Sequence, residues 1–309
     1  MRHEKKKKKK RTWLKVVGII VLLFVLAGGA FAFSVWNSLT KTVETMHTPI
    51  DRNTDKRTDK LALSDQEPFS MLMLGVDERE GDKGRSDTMI VLTVNPELKS
   101  VKMLSIPRDT RTEIVGHGTQ DKINHAFAFG GAEMAMDTVE NFLDIPIDYY
   151  MKINMEGFKD IVDAVGGVTV QNDLNFTEDG TTFNKGTIEL NGKEALSYAR
   201  MRYEDPNGDF GRQSRQRAII EAVIKEGASV STLTSYGDVF DALSKNIQTN
   251  LTFDDMMDIQ KNYRDASKNI TQSSISGTGT KIDGIYYYLV SEEEQKKVQT
   301  ELKEHLTVK

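Results

Sequence analysis

The sequence predicts a single α/β domain preceded by one transmembrane helix. An uncharged apolar run at Val16–Val35, alternating short strand-like and longer helix-like periodicities from Phe69 onward, and the lack of an internal repeat point to this class.

The membrane segment comes first. Residues 1–36 carry nine Lys or Arg, including the run Lys5 to Lys10, against one acid, Glu4. As a helix, Val16–Val35 matches the ~30 Å hydrocarbon of a bilayer, and Trp13 and Trp36 suit its interfaces. Basic residues stay on the cytoplasmic side. Residues 1–15 are therefore expected to form a cytoplasmic basic tail and 16–36 a signal-anchor helix, with the rest of the chain outside the cell membrane. A cleaved signal peptide ending near Ala30-Phe31-Ala32 is a competing reading, but the apolar run exceeds a usual signal core. The lysine run also resembles a patch for DNA or anionic lipid, although topology already accounts for it.

Residues 37–68 are rich in Thr, Asp, Lys and Arg without sustained periodicity, and are expected to tether a domain spanning 69–309 close to the bilayer. From Asn37 onward 32 basic residues face 45 acidic ones, a net of −13 within a chain total of −5. So acidic a domain argues against direct binding of nucleic acid. There is no Cys, and the domain is long enough to bury a core without disulfides.

Beyond Pro68, short apolar or alternating runs predict strands over Phe69–Val76, Thr88–Val94 and Val101–Ile106. Turn signals at Gly81–Gly84 and Asn95-Pro96 separate them. The spacing of Phe127, Met134, Val139 and Phe142 predicts a helix over Asn124–Leu143. A strand at Tyr149–Ile153 follows, then a helix at Glu156–Val165 stopped by Gly166-Gly167, then a strand from Val168. Asn191-Gly192 opens a helix through Met201, and Arg212 opens another through Lys225. Further helices are expected at Asp238–Leu243, Phe253–Tyr263 and Glu292–His305, and a late strand at Ile285–Val290.

Five arginines, Arg200, Arg202, Arg212, Arg215 and Arg217, crowd one short stretch of this acidic domain. Guanidinium groups match phosphate oxygens as planar two-pronged donors, and Gly211 just ahead of a helix would leave backbone N–H groups for an anion. The plainer reading is a solvated or carboxylate-paired surface. Arg212, Arg215 and Gln216 stand at i, i+3 and i+4, so they are expected to share one face as a pocket floor leading into Ile219 and Val223. Arg200 and Arg202 diverge on an ideal helix. They converge only if the chain unwinds near Met201, which Asp205-Pro206-Asn207-Gly208 permits.

Asp77 closes the first strand and Asp87 opens the second. If those strands pair, the two carboxylates meet at the base of the loop. Neighbouring carboxylates favour a cation between them, and Mg²⁺ is commonly held by one or two carboxylates plus substrate phosphates. A surface hairpin with capping and paired Asp and Arg is the alternative. Arg108 follows Pro107 at the end of the third strand, where α/β folds place ligands; an Arg108-Asp109 surface turn competes with that reading.

Taken in order, Leu74-Gly75-Val76-Asp77, Arg85-Ser86-Asp87-Thr88, Ser105-Ile106-Pro107-Arg108-Asp109, Lys122-Ile123-Asn124, Val162 to Val168 and the arginine segment through Gly208-Asp209-Phe210-Gly211-Arg212 resemble the LytR-CpsA-Psr family. The resemblance runs from about Phe69 to Ala222, and the part after Lys225 carries no motif that transfers. It implies an α/β/α sandwich with a mixed central sheet. It also implies an extracytoplasmic, membrane-anchored phosphotransferase that moves an anionic glycopolymer, such as wall teichoic acid, from a polyprenyl pyrophosphate carrier to a peptidoglycan sugar hydroxyl. By this resemblance Asp77 and Asp87 hold Mg²⁺, while Arg85, Arg108, Arg200, Arg202, Arg212 and Gln216 clamp the pyrophosphate. Asp77, Arg85 and Arg108 stand nearest the reaction, with Asp77 as base. The carrier's hydrocarbon needs an apolar groove, which the helices after Asn124 and Arg212 could line. Two other classes compete: a non-catalytic tethered binder or regulator of anionic wall polymers, and a transcriptional attenuator, which from outside the membrane acts on DNA only indirectly.

Overall fold

Alternation of apolar side chains builds a six-stranded sheet with two buried faces. The computed structural model describes residues 37, 40–50, 52, 56, 57, 61–77, 84–229 and 244–308. Strands β1 (Phe69–Val76), β2 (Ser86–Asn95), β3 (Ser100–Ser105), β6 (Tyr149–Ile153), β11 (Ile247–Thr249) and β12 (Ile270–Ser274) lie in the order β11-β6-β1-β2-β3-β12. The sheet is mixed: β1 runs parallel to β6 and β3 to β12, whereas β1–β2, β2–β3 and β6–β11 are antiparallel.

Period-two geometry sends successive side chains to opposite faces. Leu72, Leu74, Met89, Val91 and Leu104 enter one core with the helices α1 (His125–Leu143) and α6 (Glu292–Leu306). Met71, Ile90, Leu92 and Met103 enter the other, against Ile220 and Ile224 of α4 (Asp209–Ser229) and Met256 and Ile259 of α5 (Phe253–Asn262). The expected helix–sheet–helix sandwich is thus observed. Each fully buried Leu or Met on these faces contributes about 1.5–3 kcal/mol.

A flanking layer is built from α2 (Met155–Ala164), α3 (Gly192–Arg200), the antiparallel pair β7 (Val168–Asn172) with β10 (Gly186–Leu190) and, between those two in the chain, the hairpin of β8 (Phe176–Glu178) with β9 (Thr181–Phe183). Its core centres on Phe176, Phe183 and Tyr198, whose ring centroids lie 4.9–5.6 Å apart. Two further hairpins complete the described chain: β4 (Arg111–Ile114) with β5 (Thr119–Lys122), and β13 (Thr278–Ile282) with β14 (Ile285–Leu289).

The expected membrane segment at 16–36 and the expected helix at Asp238–Leu243 lie outside the described residues. Among the described residues no helix is long and apolar enough to cross a membrane. Inside the expected tether the structure shows packing: Val43 and Met46 are buried with Ile153 and Ile247, and Arg57 pairs with Asp148 at 2.6 Å. A few apolar residues and the ion pairs of two arginines, Arg57 with Asp148 and Arg52 with Asp137 and Glu140, fasten this stretch, a pattern too sparse to register as periodicity.

Helix α4 sits where it does because of two buried arginines. Arg215 donates to the carbonyls of Tyr198 (3.1 Å) and Met201 (2.5 Å) and pairs with Asp205 at 2.5 Å. Arg217 donates to Ser105 Oγ at 2.7 Å, tying the helix to the end of β3, and burial lowers its pKa. Gly211 lies within α4, not ahead of it, and a Cβ there would collide with the Asp205 carboxylate. That glycine serves the Arg215–Asp205 clamp rather than an anion at a helix start.

Truncating one partner of a buried ion pair strands the other charge. Arg215→Ala is expected to lower the unfolding free energy by about 3–5 kcal/mol in urea titration. His305, 3% exposed, lies with Nδ1 2.7 Å from Thr93 Oγ1 and Nε2 2.8 Å from Ser100 Oγ. Burial, aided by the Lys102 charge, pushes its pKa down from 6.5 to about 4. The unfolded chain therefore takes up this proton first, and stability is lost as pH falls from about 6.5 toward about 4. His305→Gln is expected to show a shallower fall of the thermal midpoint than wild type across that window.

Candidate active site

The loop-facing ends of β1, β2, β3 and β6 meet at one edge of the sheet, and the charged residues gather there. Because β1 and β6 are parallel while β2 runs back between β1 and β3, the ends of β1, β3 and β6 and the start of β2 all face the same way. Such carboxyl ends are the usual ligand position in α/β sheets.

Asp87 owes its direction to an irregularity. Gly75 pairs with Thr88 and Val76 with Ser86, so Asp87 is the extra residue of a bulge. A bulge re-aims a side chain out of strict alternation. It sends Asp87 toward a cavity of about 300 Å³ that Asp77, Arg200, Arg212 and Gln216 also line. Strands β1 and β2 pair as expected, and Asp77 and Asp87 line the same cavity. The remaining wall is apolar, including Met73, Ile90, Ile153, Phe158, Leu196 and Ile220.

Beside it lies a second cavity of about 260 Å³, lined by Arg108, Asp109, Arg202, Asp209, Gln213 and the aromatic residues Phe210, Tyr286 and Tyr288. Two ion pairs form the partition. Arg108, on the second cavity, meets Asp87, on the first, at 2.6 Å; Arg212, on the first, meets Asp209, on the second, at 2.6 Å. Arg202 approaches Asp209 at 4.0 Å. Burial opposes the charge on Arg108, but Asp87 and then Asp109 and Asp209 outweigh it and raise its pKa. Arg212 Nε is buried and has no hydrogen-bond acceptor among the described residues.

Several expectations change. Arg212 and Gln216 do share a face, continued by Ile220, but Arg215 turns from it into the flanking core with Ile219. At 100° per residue Arg215 stands 60° from Arg212 and 100° from Gln216, and the cavity edge falls between them. The apolar lining comes from β1, β2, β6, α2, α3 and α4; the helix after Asn124 packs in the core with Leu72 and Leu74 instead. Arg85 is exposed just before β2 and lines neither cavity. Arg200 and Arg202 do not converge on one cavity: α3 ends at Arg200, the chain leaves the helix at Met201 (φ −54°, ψ 133°), and Arg200 lines the first cavity while Arg202 lines the second.

The second cavity was not legible as a site. Its hairpin comes from the C-terminal stretch, where only Ile285–Val290 read as a strand, and Gln213 is an unremarkable polar residue on a helix. The available signal was a concentration of aromatics in Ile285-Tyr286-Tyr287-Tyr288-Leu289.

Among the described residues no group of three or more His, Cys, Asp or Glu is gathered as a metal centre. Asp77 and Asp87 are hard oxygen donors on one cavity, a set that suits Mg²⁺ completed by substrate oxygens.

The LytR_cpsA_psr family model matches residues 33–304. A polyisoprenyl-teichoic acid–peptidoglycan teichoic acid transferase, TagU, of Bacillus licheniformis is 52% identical over 306 residues, covering 99% of each chain. The crystal structure of Bacillus subtilis TagU superposes with a TM-score of 0.65 at 53% identity, covering 79% of this chain and 98% of that one. A structure of TagT bound to LIIa-WTA gives a TM-score of 0.73 at 32% identity, covering 85% of this chain and 100% of that one. With the family model spanning most of the chain and these relatives matching it nearly end to end, the protein belongs to the LytR_cpsA_psr family.

Proposed function

We propose that this chain is a transferase that moves a teichoic acid from a polyprenyl pyrophosphate carrier to a sugar hydroxyl of peptidoglycan. The observation that carries the reading is the buried Arg212 Nε–H, which lacks an acceptor beside an apolar cavity. An unmet buried donor costs about 1–3 kcal/mol, more when charged, and a phosphate oxygen would satisfy it. The curated relatives named as teichoic acid transferases, matched over nearly the whole chain, support the substrate.

In this reading the apolar wall takes the start of the prenyl chain, while Arg108, Arg200, Arg202, Arg212 and Gln216 hold pyrophosphate oxygens. Arg85, exposed just before β2, would join them from the rim. Arg108 and Arg212 exchange a carboxylate partner for a phosphate partner of the same sign. Asp77 and Asp87 would hold Mg²⁺, which supplies neutralisation of pyrophosphate charge. The acceptor oxygen attacks the phosphorus bearing the glycopolymer, and the P–O bond to the carrier's phosphate breaks. The carrier leaves as polyprenyl phosphate with the bonding electrons, and Asp77 takes the hydroxyl proton. Such a transfer depends on positioning and charge stabilisation more than on covalent help from protein.

The apolar Val16–Val35 run and the basic start support a single-pass anchor, N-terminus inside, that holds the domain outside the membrane beside its lipid-borne donor. The acidic domain supports no direct nucleic-acid partner.

The test incubates the full-length chain with a synthetic polyprenyl-pyrophosphate-linked wall polymer and peptidoglycan fragments, with Mg²⁺ or with EDTA. Mg²⁺-dependent release of polyprenyl phosphate with a covalent polymer–peptidoglycan product is expected. Asp87→Ala should abolish it, and Arg212→Ala should lower kcat about 10²–10³-fold. Tight lipid binding without product would favour a wall-polymer binder instead.

A further inference from the structure

The second cavity holds a polar group that nothing so far uses. Gln213 is 7% exposed and donates from Nε2 to Asp209 at 3.0 Å, yet its Oε1, also buried, has no hydrogen-bond partner among the described residues. A buried amide oxygen left unmet calls for a donor from outside the chain. The same cavity carries Tyr286 and Phe210, each 44% exposed, with Tyr288 behind Phe210 at a ring separation of 5.7 Å.

These rings are held in place. Tyr288 N–H donates to the Asp109 carbonyl at 2.8 Å, and Thr110 bridges to Tyr288, so the β13–β14 hairpin is stitched to the loop that carries Arg108. The Tyr286 ring lies over Gly279, where any Cβ would collide with it. A fixed, half-exposed aromatic surface beside an unmet acceptor and carboxylates suits a neutral, hydroxyl-rich ring: C–H groups pack on the aromatic face while hydroxyls donate.

We propose that this cavity seats the acceptor glycan, with one sugar ring against Tyr286 and Phe210 and one of its hydroxyls donating to Gln213 Oε1. The proposal rests on the transferase reading above. Placement favours the acceptor over the donor's own sugar. In-line phosphoryl transfer sets the attacking and leaving oxygens on opposite sides of phosphorus. With the prenyl phosphate leaving on the apolar side, the attacking hydroxyl comes from beyond the Arg108–Asp87 and Arg212–Asp209 partition, where this cavity opens. Its ring sits in the cavity and the reacting hydroxyl reaches across toward the phosphorus.

The test measures KM separately for a peptidoglycan glycan tetrasaccharide as acceptor and a short-chain polyprenyl-pyrophosphate-linked disaccharide as donor, in the full-length chain. Gln213→Met and Tyr286→Ala are each expected to raise the acceptor KM about five- to tenfold, as loss of one good contact does, with donor KM unchanged. Tyr286→Phe, which keeps the ring, should hold the acceptor KM at the wild-type value. If the buried Gln213→Met chain fails to fold, Tyr286→Ala on the exposed hairpin decides alone. An unchanged acceptor KM in a chain whose wild type transfers overturns the proposal and leaves the transferase reading standing. A raised donor KM in place of the acceptor's also overturns it, assigning the cavity to the donor sugar. No transfer by the wild-type chain sinks both readings.

Discussion

Two arginine–carboxylate pairs, Arg108–Asp87 and Arg212–Asp209, partition the site, and each pair has one member on either side. Half-buried guanidinium groups need anionic partners, and in the free protein aspartates supply them. A phosphate offers the same charge with more oxygens, so it competes for arginines that are already oriented. Asp87 then faces the same phosphate without its arginine, which is where a cation would compensate. Bulge, strand ends and helix α4 all act on these two pairs: they fix where the charges stand before substrate arrives.

The arginine-rich segment divides its labour according to helix face. Arg212 and Gln216 look into the first cavity, whereas Arg215 and Arg217 are spent on holding α4 to the Tyr198–Met201 chain and to β3. Buried ion pairs of this kind contribute more to geometry than to net stability. Here the geometry is the point, since a small rotation of α4 would carry Arg212, Gln213 and Gln216 off their targets together. Composition alone marked five arginines as a phosphate site; packing assigns two of them to the scaffold.

Much of the sandwich was legible because its strands alternate cleanly. Phe69–Val76 and Tyr149–Ile153 are observed with the bounds that their apolar runs predict, and the helices before Leu143 and from Glu292 differ by a residue at most at each end. The short hairpins escaped notice: Thr119–Lys122 is wholly polar, and β8 and β9 have three residues each, too few to show a period. Sheet order was also hidden, since β12 joins β3 from far along the chain. Within the site, Asp77, Asp87, Arg108 and Arg212 stand at strand or helix ends, where sequence position nearly fixes spatial position. Gln213 and Tyr286 could be found only once α4 and the last hairpin were seen to face one another.

The central claim is that carboxylate-held arginines are handed over to pyrophosphate at the sheet edge. The most direct measurement is a crystal structure of the domain with a short-chain polyprenyl pyrophosphate glycolipid and Mg²⁺. The account predicts phosphate oxygens within hydrogen-bond reach of Arg212 Nε and Arg108, the Arg108–Asp87 pair opened, and prenyl carbon against Ile153, Phe158 and Ile220. A pyrophosphate bound elsewhere, with both partition pairs intact and Arg212 Nε still unmet, would contradict it.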